Sequence, residues 1–327
     1  MKSLRQAAIL GLILLLAPAF WGGRPLATAS RDCRRGQWNP QLMGMRQQII
    51  YEQRKTRVLT LYLLRPRHPA QELNPVVLYL HGGGLRSGTG IISSAPTPHN
   101  RLLVALERHL MREHIDFVSI NYRLAPLHPW PDPLHDVEHA IGYLDRHGAA
   151  LHMNTNDMAV IGDSAGGELS SFVGLTMSVP GTRRPAVRGV VDLFGPTDRE
   201  KFASAWRARH GLIPNPVYGV YTPGRVRKES AISHVHAGAP PFLIVQGSRD
   251  RVVPPWQSWL LKKKLQKCGV SAKEILVGHA GHELVAQGGP IHPGIPRLVG
   301  IINQFLRQRL LTATNRGGLK NASRVHG

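Results

Sequence analysis

Residues 158–167 read Met-Ala-Val-Ile-Gly-Asp-Ser-Ala-Gly-Gly. Met158–Gly162 is a short apolar run of the kind that forms a buried strand. Ala165–Met177 is apolar at helical length. Between them, Gly162-Asp-Ser164-Ala-Gly166 must turn the chain within a few residues. A sharp strand-to-helix turn crowds its backbone, and glycine relieves the crowding because it has no Cβ. The turn lifts the Ser164 hydroxyl above the end of a sheet, at the mouth of the following helix. That is the context in which a Gly-x-Ser-x-Gly pattern presents a nucleophile.

The same alternation of strand and helix extends outward in both directions. Ile49–Glu52 and Val58–Leu64 read as a strand pair with Arg54 and Lys55 at the turn. Val76–His81, Phe117–Asn121, Val187–Leu193, Phe242–Gln246 and Lys273–Val277 are further strand candidates. Arg101–Glu113, Pro133–His147, Trp256–Lys267 and Arg297–Leu310 have helical spacing. Strands separated by helices predict an α/β fold: a mostly parallel central sheet flanked by helices. The pattern lapses between about residues 196 and 240, where a short cap or lid segment is expected. Residues 30–311 are read as one domain, and the polar, basic stretch 312–327 as a tail expected to be disordered.

Three further segments supply partners for Ser164. His81-Gly82-Gly83-Gly84 follows directly on the strand candidate ending at Leu80. Glycines there let main-chain amides approach a substrate oxygen, so Gly83 and Gly84, with the amide of Ala165, are candidate oxyanion donors. Asp250 stands just past the strand Phe242–Gln246 and is the candidate acid; Asp192 and Asp198 are alternatives, Asp198 reading more naturally as a helix N-cap. The loop Gly278-His279-Ala280-Gly281-His282 follows the last strand and carries two candidate bases. His282 is preferred over His279 because Gly281 could supply the turn that projects it.

These motifs together resemble the alpha/beta-hydrolase esterases related to hormone-sensitive lipase, and above all the bacterial carboxylesterases described as BD-FAE or feruloyl-esterase-like. The likeness runs from about Ile49 to Leu306. It includes His81-Gly-Gly-Gly84, Asn121-Tyr-Arg-Leu-Ala-Pro126, His128-Pro-Trp-Pro131, Gly162-Asp-Ser-Ala-Gly-Gly167, Phe194-Gly-Pro-Thr-Asp198, Asp250-Arg-Val-Val-Pro254 and Gly281-His282. The resemblance implies an α/β-hydrolase fold and a Ser164–His282–Asp250 triad with an oxyanion hole of Gly83, Gly84 and Ala165. It also implies hydrolysis of small carboxylic esters without metal or organic cofactor. A serine peptidase or amidase, or a non-catalytic binding protein on the same scaffold, are the rival readings. Three positions depart from the family pattern. Leu85 stands where an aromatic residue is usual, Gln246 where a histidine often precedes the glycine, and Glu283 follows the histidine.

Lys2 and Arg5 precede an apolar stretch from Ala7 to Trp21, and Ala27-Thr28-Ala29 offers a cleavage site before Ser30. Residues 1–29 are therefore expected to be a signal peptide, making the protein exported, periplasmic or secreted; an uncleaved membrane anchor is the alternative. The formal net charge is +21, and Lys2, Arg5 and Arg24 are the only charged residues of the first 29, which leaves +18 from Ser30 onward. The basic residues are scattered and form no nucleic-acid motif, so weak association with anionic surfaces is the most the charge implies. Cys33 and Cys268, the only cysteines, could form a disulfide in an oxidising compartment. The oligomeric state is not legible.

Overall fold

The computed structural model describes residues 47–54, 57–65, 73–92, 95, 97–177, 187–210 and 223–322. The expected signal peptide and Cys33 lie outside them. Cys268 is unpaired among the described residues. Among them, too, no helix is long and apolar enough to cross a membrane.

In chain order the strands are β1 (Gln47–Arg54), β2 (Arg57–Leu64), β3 (Asn74–Leu80), β4 (Asp116–Ile120), β5 (Met153–Asp163), β6 (Val187–Leu193), β7 (Phe242–Gly247) and β8 (Ala272–Val277). The helices are α1 (Pro98–Arg112), α2 (Asp132–His147), α3 (Ala165–Met177), α4 (Arg199–His210), α5 (Pro223–Lys228), α6 (Trp256–Lys267) and α7 (Ile295–Ala322). One eight-stranded sheet runs in the order β1-β2-β4-β3-β5-β6-β7-β8. β1, β2 and β4 pair antiparallel, and every pairing from β4 to β8 is parallel.

Side chains alternate across a strand, so each parallel strand feeds two cores. Val76, Leu78 and Leu80 of β3 enter one apolar cluster with Val137 of α2, Leu169 of α3 and Leu261 of α6. Val77 and Tyr79 enter the other, with Leu102 and Leu106 of α1 and Leu298 and Ile302 of α7. Helices thus cover both faces, as the continuous apolar strands require. This is the α/β-hydrolase architecture.

The strand order also fixes where a site can form. From β3 the chain crosses to β4 on one side; from β5 it crosses to β6 on the other. Loops leaving adjacent strands in opposite directions open a crevice at their carboxyl ends. The glycine loop leaves β3 and Ser164 leaves β5 at that crevice.

Two expectations change. The segment 196–240 is partly helical: α4 begins at Arg199, and the Asp198 carboxylate accepts from Lys201 N at 3.0 Å, the N-cap that Asp198 was read to be. Trp206, Pro214 and Tyr218, which gave that stretch its irregular look, have no described side-chain placement. At the C-terminus, α7 runs to Ala322, past residue 312 where the tail was expected to begin.

Candidate functional site

The turn between β5 and α3 is held by backbone packing. Ser164 has φ 51°, a left-handed conformation unusual for a residue with a side chain. Ser164 N donates to Leu193 O at 2.8 Å, and Glu168 N donates to Ser164 O at 3.1 Å, closing the first turn of α3. A Cβ on Gly162 would collide with the Gly166 carbonyl, and one on Gly166 with the Leu80 carbonyl. Both glycines are therefore demanded by close approach, as the sequence suggested. α3 itself is buried on almost every side.

The glycine loop after β3 is tied to this turn through Asp163. Its Oδ1 accepts from Tyr79 Oη at 2.7 Å and from Gly82 N at 3.1 Å. His99 Nε2 of α1 lies 3.5 Å from Oδ2. Gly83 and Gly84 take positive φ, 102° and 63°, and the Gly83 carbonyl accepts from Arg86 N and Ser87 N. Among the described residues, no intramolecular acceptor takes the amides of Gly83, Gly84 or Ala165. His81 is locked underneath. Tyr122 stacks on it at 4.2 Å and donates its hydroxyl to His81 O at 2.5 Å, while His81 Nδ1 donates to Gly82 O at 2.8 Å. Burial lowers the His81 pKa and keeps the ring neutral. Leu85, where an aromatic residue was the family habit, is fully buried in the core and so does not line open space.

The loops after β7 and β8 converge on Ser164. His282 Nε2 lies 3.0 Å from Ser164 Oγ, and Nδ1 lies 2.7 Å from Asp250 Oδ2. The other carboxylate oxygen of Asp250 accepts from Val252 N and Val253 N, each at 2.9 Å. The structure therefore brings Ser164, His282 and Asp250 into one line of contacts. His279 joins no such line; its carbonyl accepts from Gln287 N at 2.7 Å. The turn works differently from the expectation. Gly281 is extended, and the left-handed residues are His279, Glu283 and Leu284, with φ of 57°, 55° and 61°. A Cβ on Gly281 would meet only the end of the Gln287 side chain, which can move aside.

Neither alternative acid approaches His282 in this network. Asp192 is fully buried, accepting from Gly195 N at 2.8 Å and Ser171 Oγ at 3.0 Å. Burial pushes its pKa up to about 6.

Several contributors carried no sequence signal of their own. Phe194 packs edge-on to His282 at 5.1 Å. Arg199 is buried against Glu168 and lies 3.7 Å over the Trp130 ring. Gln246 reaches Asp250 from behind. Trp130 and Phe194 lie inside motifs quoted above, but nothing in those motifs tells what they touch. An apolar cleft of about 360 Å³ opens beside the histidine loop, lined by Pro98, Leu284, Ile291 and Ile295 among others.

Among the described residues, Glu52, Asp136 and His139 bring ligand-type atoms within 4.8 Å of one another. Arg123 already grips Asp136, while Arg54, Arg57 and His139 surround Glu52. Each carboxylate of this cluster already has a cationic side chain beside it.

The chain is similar to known esterases. The BD-FAE family model matches residues 61–265. The esterase LipC of Mycobacterium tuberculosis is 29% identical over 81% of this chain and 66% of its own length. A probable carboxylic ester hydrolase of the same organism, LipM, is 28% identical over 56% of this chain and 43% of its own. The chain thus spans between two fifths and two thirds of these relatives. Among solved structures, a truncated carbohydrate esterase from gut microbiota superposes with a TM-score of 0.62 at 21% identity, over 81% of this chain and 95% of that one. A thermophilic esterase of Thermogutta terrifontis gives 0.60 at 19% identity, over 80% and 94%.

Proposed function

We propose, for a chain that belongs to the BD-FAE family, that it is a serine carboxylesterase acting on small carboxylic esters through an acyl-enzyme. The observation that carries this reading is the line from Ser164 Oγ through His282 to Asp250. The curated esterases it resembles support the reaction class.

The hydrogen-bond partners dictate the chemistry. A carboxylate can only accept, so His282 Nδ1 carries the proton toward Asp250, and Nε2 is left with a lone pair facing the Ser164 hydroxyl. Nε2 takes the Ser164 proton as Oγ attacks the ester carbonyl carbon. The carbonyl oxygen gains the electron pair and is met by the amides of Gly83, Gly84 and Ala165, each such donor contributing about 3 kcal/mol. When the intermediate collapses, the imidazolium protonates the departing alcohol. A water then gives its proton to Nε2 and attacks the acyl carbon; breaking the Oγ–acyl bond releases the acid and restores Ser164. Export, supported by the N-terminal pattern, is part of the proposal.

The decisive experiment is a p-nitrophenyl ester chain-length series with wild type and Ser164→Ala, alongside labelling by a fluorophosphonate. Short acyl esters should turn over, and both turnover and labelling should vanish in the variant. Wild-type protein that neither turns over esters nor takes the label would overturn the reading.

A further inference from the structure

Behind Asp250 lies a second, shorter line of hydrogen bonds that the triad reading leaves without a role. Gln246 is the penultimate residue of β7, and its side chain is fully buried. Its amide Nε2 donates to Asp250 Oδ2 at 3.2 Å and to Val253 O at 3.0 Å. Its Oε1 accepts from Ser258 Oγ of α6 at 2.8 Å. Ser258 is buried as well.

We infer that Gln246 is a positioning residue for the reaction, holding the Asp250 carboxylate in the orientation that His282 requires. This rests on the Ser164–His282–Asp250 reading above. The argument is one of saturation. An ionised carboxylate offers about four acceptor sites. Val252 N and Val253 N occupy one oxygen; His282 Nδ1 and Gln246 Nε2 share the other. The two backbone amides alone leave the carboxylate able to rock about their common oxygen. Gln246 supplies the fixed point on the oxygen that faces His282.

The amide can do this only one way round. Were its oxygen turned toward Asp250, it would set acceptor against acceptor and leave the Val253 carbonyl facing another oxygen. Asp250 Oδ2 and the Val253 carbonyl can only accept, so they fix the NH2 end, and the Ser258 hydroxyl turns its proton to Oε1 to complete the arrangement. Two hydrogen-bond chains therefore end on Asp250 Oδ2: Ser164 to His282 to Asp250 from the front, and Ser258 to Gln246 to Asp250 from the back. The neighbours that Gln246 contacts include one titratable group, Asp250, and through it His282; Ser258 and the Val253 peptide are neutral. The sequence position matters, since it is the one where a titrating histidine is common in the family and a neutral amide stands here.

The test uses the full chain and p-nitrophenyl acetate, with kcat and KM measured from about pH 5 to 9 and thermal melting followed in parallel. Gln246→Leu keeps the volume and removes the donors. Its kcat should fall about 10- to 100-fold, with KM within about threefold, which is the scale of loss expected when a reacting group is slightly misplaced. Gln246→Glu keeps the shape and the Ser258 bond. When ionised, the new carboxylate repels Asp250; when protonated, it can donate as the amide does. The ratio of wild-type to variant kcat should then grow with pH, which a space-filling role would not produce. Ser258→Ala removes the donor to Oε1, loosens the amide and should lower kcat several-fold; it carries the test if the leucine variant does not fold. Folded Gln246 variants with wild-type kcat and an unchanged pH profile would sink the inference. Ser164→Ala in the same assay separates the two readings. If it stays active, the triad reading fails; if it is dead while the Gln246 and Ser258 variants are unimpaired, only the positioning role fails.

Discussion

The ring of Phe194 meets His282 edge-on, centroids 5.1 Å apart and planes at 68°, and on its other side meets His99 at 5.7 Å and 72°. Phe194 itself is fully buried, with its backbone in a left-handed turn at φ 47°. The aromatic ring is a wall that keeps His282 from swinging off Ser164. Edge-to-face pairs contribute about 0.5–1.5 kcal/mol beyond their buried area. Phe194→Leu should therefore lower kcat about tenfold while leaving KM little changed, and lower Tm by several degrees. Steady-state kinetics and melting curves on the same preparation check both.

The two histidines of the last loop give a sharper contrast. His282→Ala removes the only ring that touches both Ser164 and Asp250 in the described structure. Turnover should drop by about three orders of magnitude or more. His279→Ala should stay within a few-fold of wild type. The reverse pattern would move the base to His279.

Asp192 makes stability depend on pH in an unusual direction. Its folded-state pKa is raised from 3.8 to about 6 by burial, with the Glu168 carboxylate adding to the rise. Below the unfolded value both states hold the proton and nothing is lost. Between about 4 and 6 the unfolded chain releases it first, so folding loses stability as pH rises, up to about 3 kcal/mol at full ionisation. Asp192→Asn retains an acceptor for Gly195 N and removes the titration. Its Tm should gain on wild type as pH climbs from 4 to 6, then run parallel. Melting curves with a pH-independent difference would refute the assignment.

Arg199 is 2% exposed in its side chain and faces a Glu168 that is wholly buried. The guanidinium also lies over Trp130 and within reach of Glu229. Arg199→Ala leaves a carboxylate stranded in the core and should cost about 3–5 kcal/mol. Removing both partners, with Glu168→Gln and Arg199→Met, should cost less than the single change. Denaturant unfolding of the three proteins decides it.

The architecture was legible because buried parallel strands are written as unbroken apolar runs. Ala165–Met177, Val187–Leu193 and Trp256–Lys267 fall where their patterns place them. Ser164, Asp250 and His282 were legible because they stand one, three and five residues past the ends of β5, β7 and β8, at one end of the sheet. Of α4 only the start was legible, in the Asp198 N-cap. It reads Arg-Glu-Lys-Phe-Ala-Ser-Ala-Trp-Arg-Ala-Arg-His, with no apolar stripe to announce it. The contacts of Gln246, Phe194 and Arg199 were illegible for a different reason. Each is made to residues from 4 to about 90 positions away, through side-chain geometry that no local period encodes. Gly281 shows the limit of reading a residue type without its neighbours: the reversal it was credited with belongs to Glu283 and Leu284.

The encasement of α3 has a consequence for how the molecule yields to heat. Ser164 stands at the head of a helix buried on almost every side, while Asp250 and His282 hang on loops at the β7–β8 end of the sheet. Opening begins where the backbone is least enclosed. Warming should thus part His282 from Ser164 well before amide protons of α3 exchange. The catalytic function then fails as a reversible, local event, and cooling restores it without the chain having to fold again.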